Sequence, residues 1–88
     1  PVKKGRKTRL QELSSEKRTM IFYESPYKLY KTLEDFYEYF GPEREISISK
    51  ELTKIFENTQ RGKIKDIIDN YNNKKLKGEF VMVVKGLK

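Results

Sequence analysis

The stretch TMIFYESPYKLYKTLEDFYEYF, residues 19–40, decides the fold. Thr19 to Tyr23 is an uninterrupted apolar, β-prone run, and a run without alternation predicts a strand covered on both faces, as in the middle of an α/β sheet. Glu24-Ser25-Pro26 then stops it. Ser25 is placed to cap a helix with its hydroxyl, and Pro26 suits the first helical position, where a missing N–H costs nothing. Leu29, Tyr30, Leu33, Phe36, Tyr37 and Phe40 follow at i, i+1, i+4, i+7, i+8 and i+11, one broad stripe of a 3.6-residue period. Gly41-Pro42 ends the helix, Gly41 by its freedom at positive φ and Pro42 by its inability to continue.

Working outward, residues 1–7, PVKKGRK, combine Pro, Gly and four charges and are expected to form an irregular basic arm or linker, ahead of a single α/β subdomain over 8–88. Thr8 can cap a short helix reaching about Glu16, with Leu10 and Leu13 turned inward and Lys17 and Arg18 suiting its C-terminal end. Beyond Pro42, Glu45 to Lys50 alternates, Ile46 and Ile48 one way and Ser47 and Ser49 the other, and predicts a second strand. Residues 55–60, IFENTQ, predict a third strand at an edge, because Glu57, Asn58 and Gln60 resist burial. Lys63 to Tyr71 carries Ile64, Ile67, Ile68 and Tyr71 at helical spacing. Glu79 to Lys85, EFVMVVK, is a second continuous apolar strand, framed by Gly78 and Gly86, and is expected to be central. The order is α-β-α-β-β-α-β. The fold class is α/β in the mixed α+β sense, a small mixed sheet of about four strands covered by three helices.

Composition narrows the chemistry. At 88 residues the chain is one small domain, and with no Cys and no His it holds no disulfide, no thiolate nucleophile and no histidine base or ligand. No metal site is expected, since carboxylates without His or Cys at set spacing are ordinary surface charge. The glycines stand singly at turns, so there is no phosphate-cradling Gly-rich loop. No run approaches the roughly 18 apolar residues of a membrane span, and the basic start leads into no apolar signal region, so no membrane partner and a cytoplasmic location are expected. The first residue is Pro1 and the first Met is Met20, which reads as a piece of a longer protein. The net charge is +7. Lys3, Lys4, Arg6, Lys7 and Arg9 concentrate it, because beyond Arg9 15 basic side chains face 13 acidic ones. Such an arm is able to meet phosphates by charge and counterion release, or to be a solvated leader. The polar cluster Lys50-Glu51-Leu52-Thr53-Lys54 past the second strand lies where open sheets place ligand chemistry, or is a solvated loop.

Residue order adds a resemblance that composition does not contain. KKGR at 3–6 with Leu10, FYESP at 22–26, KELTK at 50–54 followed by Glu57, RG at 61–62 and KGEFVMVVKG at 77–86 run in the order of the ribosomal RNA small subunit methyltransferase I family, which the chain resembles over essentially its whole length. These enzymes belong to the tetrapyrrole (corrin/porphyrin) methylase superfamily and use S-adenosylmethionine to methylate a cytidine 2′-hydroxyl of small-subunit rRNA. The resemblance implies the C-terminal subdomain of a two-subdomain enzyme, supplying one wall of the cofactor cleft and inactive alone, with the N-terminal subdomain and small-subunit rRNA as partners; the sequence leaves open whether a homodimer forms. It implies cofactor contacts at Tyr23, Ser25, Pro26 and Gly86; polarity and location alone make Glu24, Glu51 and Lys54 the catalytic candidates for activating a weakly nucleophilic hydroxyl. It places RNA near Lys3, Lys4, Arg6, Lys7, Arg9 and Lys28. The chain departs from the family where relatives carry His and often Arg after the ESP motif, here Tyr27 and Lys28, and where they carry His-Glu-Glu, here Phe56, Glu57 and Asn58; Lys28 keeps a charge but lacks the bidentate fork of Arg. Two other readings fit the residues: a tetrapyrrole or other small-molecule methylase of the superfamily, and a non-catalytic basic RNA-binding module.

Overall fold

A computed structural model describes residues 2–51, 59–72 and 75–87, the side chains of 2–4 and 51 excepted. The elements are α1 (Val2–Leu13), β1 (Met20–Glu24), α2 (Pro26–Phe40), β2 (Glu45–Glu51), β3 (Thr59–Lys63), α3 (Ile64–Ile67) running into a 3-10 turn (Ile68–Tyr71), and β4 (Glu79–Val84). This is the α+β order expected. The sheet runs β1-β4-β2-β3, and every pairing is antiparallel. The mixed pairing anticipated from sequence is therefore absent among the described strands, although β1 and β2 do run in the same direction on either side of β4.

The core lies between one face of this sheet and the helices. Leu29, Leu33 and Phe36 of α2 are fully buried, as are Ile48, Ile64, Met82 and Val84. Rings of Phe22, Phe36 and Phe40 pack with centroids 4.8 Å and 4.9 Å apart in sequence, and Tyr71 meets Phe80 edge-on at 6.1 Å. Burial of several such side chains, each worth about 1.5–3 kcal/mol, is what a chain of this size relies on. At the C-terminal end of α2, Gly41 takes φ 97° and its N–H bonds the Tyr37 carbonyl, as its sequence required.

Four expectations are corrected. β1 is an edge strand with one open face: Met20 is buried, but Ile21 and Tyr23 are 61% and 67% exposed. The run is continuous in sequence yet only alternate residues meet helices, because the described helices occupy one side. The arm expected to be irregular over 1–7 is helical from Val2. Lys, Arg, Gln, Glu and Leu are good helix formers, and Arg6, Leu10 and Leu13 at i, i+4 and i+7 give α1 a face that docks on the core. β3 is described over Thr59–Lys63 and so continues past the expected end at 60, while residues 55–58 of that expected strand lie outside the described residues. Finally, Ser25 sits in the capping position with φ −73° and ψ 157°, but its hydroxyl makes no cap bond.

Candidate active site at the strand exits

Because β1 and β2 are both antiparallel to β4, their C-terminal ends leave the same end of the sheet. The register aligns Glu24, Phe80 and Lys50 in one row across three strands, with Glu79 and Glu51 paired in the next. The sequence-derived residues at the two exits are thus brought to one end by topology, not by chain proximity.

At the first exit Glu24 replaces Ser25 as the group that fixes the elbow. Its Oε1 accepts the Ser25 N–H at 3.0 Å, and its Oε2 accepts the Thr32 hydroxyl at 2.6 Å. Thr32 Oγ1 in turn accepts from Arg6 Nη2 at 2.8 Å, while Arg6 Nε donates to Asp35 at 3.0 Å. A carboxylate holding charge-assisted and short bonds of this kind is fixed in orientation. The chain of bonds ties α1, β1 and α2 together. Ser25 Oγ is screened from solvent and has no hydrogen-bond partner among the described residues. Arg6, Arg9, Phe22, Tyr23, Glu24 and Thr32 line a cavity of about 280 Å³ between α1 and β1. One cavity therefore gathers a cofactor candidate, a catalytic candidate and two RNA candidates.

The remaining candidates separate. Pro26 opens α2 and Lys28 is exposed on its first turn, both at the exit end. Lys7 and Arg9 are exposed on α1, Arg9 within 3.5 Å of Glu12. Lys3 and Lys4 belong to the first turn of α1, and Glu51 ends β2, with side chains outside the described residues, as is Lys54 altogether. Gly86 lies past β4, at the opposite end of the sheet from Glu24. A Cβ there would collide with the backbone carbonyl of Lys17, and Leu87 N–H bonds the Glu16 carbonyl at 2.7 Å. The space a side chain would take at Gly86 is filled by this chain's own backbone, and Gly86 lines a cleft of about 390 Å³ at that opposite end, apart from Tyr23, Ser25 and Pro26, which stand together and present an exposed phenol beside an unpartnered hydroxyl.

Thr32 and Asp35 were not singled out from sequence. The signal was a polar residue inside the stripe of α2: Thr32 sits between Leu29 and Leu33 and is 4% exposed, which demands hydrogen-bond partners. The open face of the sheet is the other feature of this end. Tyr23, Val81, Ser49 and Thr59 form one row across it, and Ile21, Val83, Ser47 and Arg61 the next, grading from apolar at β1 to polar at β3. Among the described residues no three acidic, His or Cys side chains gather to hold a metal ion, and no helix is long and apolar enough to cross a membrane.

A scan against protein-family models finds no match. Among curated proteins the chain is similar to a class of methyltransferases, aligning with a C-terminal part of longer proteins. It is 42% identical over 84 residues to the ribosomal RNA small subunit methyltransferase I of Bacillus subtilis, covering 96% of this chain and 28% of that protein. It is 38% identical over 86 residues to the Thermotoga maritima protein of the same name, covering 98% of this chain and 38% of the relative. By this match the chain belongs to the ribosomal RNA small subunit methyltransferase I family, and it spans about a third of the length of the curated relatives it matches.

Proposed function

We propose that this chain is part of an S-adenosylmethionine-dependent methyltransferase that modifies a cytidine 2′-hydroxyl of small-subunit rRNA, and that it supplies one wall of the cleft. The observation that carries the reading is the 42% identity to a ribosomal RNA small subunit methyltransferase over 96% of the chain. The convergence of both strand exits at one sheet end supports the position of that wall, and the exposed row of Ile21 and Tyr23 supports its being covered in a longer protein.

In this reading the bound cofactor supplies an electrophilic methyl group. The residues here shape what surrounds it. Tyr23, Ser25 and Pro26 border the cofactor, and Glu24, with both oxygens engaged, holds their backbone in place. Glu51 and Lys54, past the second exit, are the groups proposed to take or attract the proton of the attacking hydroxyl. A longer chain in which this sequence replaces the matching part of the Bacillus subtilis relative tests the proposal. With labelled cofactor and small-subunit rRNA it is expected to yield 2′-O-methylcytidine on nucleoside digestion. Failure to label RNA by a chimera that folds and binds cofactor, beside an active parent protein, would overturn it.

A further inference from the structure

The α1 cations that sequence assigns to RNA are partly engaged: Arg6 is bonded to Asp35 and Thr32, and Arg9 stands beside Glu12. A different surface gathers cations and aromatic rings. Two clefts, of about 490 and 470 Å³, lie on the helical side of the exit end and share Tyr71 and Leu76 as a common wall. Tyr27, Tyr30 and Lys31, the last paired with Asp35 at 3.2 Å, line the first, and Lys50 and Lys77 the second; among the described residues no acidic side chain lines either. By contrast the cleft at the opposite sheet end includes Glu43 and Glu45.

Local structure explains why these groups face outward together. Tyr27 follows Pro26 on the first turn of α2, where the ring cannot reach the core, and is 83% exposed. Tyr71 fixes the wall by packing edge-on against Phe80. Lys50 lies with its stem against Gly78, whose φ of 85° and missing side chain leave that space; a Cβ at Gly78 would stand 3.0 Å from Lys50 Cε. The stem is thus supported while the ammonium remains at the groove.

We infer that this groove binds a single-stranded RNA segment, a base stacking on Tyr27 and phosphates meeting Lys50 and Lys77. The inference rests on the reading of an RNA substrate and adds where the strand lies. Single strands are recognised through exactly these two means in combination, an aromatic platform for the base and a positive groove for the backbone. Among the described residues no lining carboxylate adds repulsion to a phosphate there.

The test measures anisotropy of a labelled oligoribonucleotide of about 10 nucleotides on this chain at about 50 and about 200 mM salt. Lys50→Gln with Lys77→Gln is expected to lower the slope of log affinity against log salt by about 1.4, one contribution of about 0.7 from each lost phosphate contact. Tyr27→Ala is expected to weaken binding about 10-fold at both salts with the slope unchanged. Lys7→Gln with Arg9→Gln is measured beside them, because the resemblance also places RNA at α1. Equal thermal midpoints show that these substitutions leave the fold intact. If RNA binds with a steep salt slope that only the α1 pair reduces, the groove is overturned and the RNA reading stands. If polyglutamate competes as well as unlabelled RNA and Tyr27→Ala has no effect, the surface is a generic polyanion or acidic-peptide site and the groove is overturned. If no salt-dependent RNA binding is found, the groove is overturned, and the methyl-transfer assay decides the RNA reading separately.

Discussion

β1 and β4 are written in nearly the same alphabet, MIFYE against EFVMVV, yet they live in different surroundings. β4 is central, bonded on both edges, with Met82 and Val84 at 0% exposure and Val81 and Val83 partly covered. β1 is an edge strand whose Ile21 and Tyr23 face solvent. An apolar run reports that both faces are to be covered; it does not report by what. For β4 the neighbours β1 and β2 shield much of the outer face simply by flanking it. For β1 no described element does so, and the apolar residues it leaves bare are the ones beside the proposed cofactor wall.

Substitutions sharpen this contrast, and the largest effect belongs to β4. Met82→Ala, which empties a fully buried site, is expected to cost about 2–5 kcal/mol in denaturant unfolding. At the seam between the strands, Gly86→Ala forces the β4 exit away from the Lys17 backbone, and a loss of about 1–3 kcal/mol is expected in the same experiment. A stability equal to the parent would show that the seam yields freely. Ile21→Ser, one strand over from Met82, is expected to change the stability of this chain by no more than about 0.5 kcal/mol. A core-sized loss there would mean the outer face of β1 is covered after all.

The smallest effect is electrostatic and sits far from both strands' apolar faces. Lys65 and Lys63 hydrogen-bond Glu43 and hold its carboxyl at about 2, down from the ordinary 4.5. Since the folded-state value is depressed, the pairs support the fold above about pH 4.5 and that support fades as pH falls towards 2. An NMR titration of the Glu43 carboxyl is expected to show a midpoint near 2 that returns towards 4.5 in Lys63→Gln with Lys65→Gln.

Much of this was legible in the residues. α2 declared its start through Pro26, its stripe through Leu29, Leu33, Phe36 and Phe40, and its end through Gly41, since each is a local rule. The resemblance marked Tyr23 to Pro26 and Lys50 as exit residues, and the antiparallel pairing with β4 is what brings them to one end of the sheet. What stayed hidden depends on distant partners. Arg6 reads as a loose charge until Asp35 and Thr32, some 26 to 29 residues away, come beside it. Ser25 reads as a cap until the Lys28 N–H is found on the Ser25 carbonyl, at 3.2 Å, instead of on its hydroxyl. Gly86 reads as one more cleft residue until antiparallel pairing sets it at the far end of the sheet from Glu24, against the Lys17 backbone. Strand order, too, follows from long-range pairing that no local pattern encodes.

The central claim is that this chain forms one wall of a cofactor cleft whose other wall lies elsewhere in a longer protein. The most direct test is calorimetric titration of S-adenosylmethionine into this chain alone and into the chimera carrying the N-terminal part of the Bacillus subtilis relative. Binding to the chimera with none to the short chain is the predicted result. Equal binding to both would place the whole pocket within these 88 residues and contradict the account.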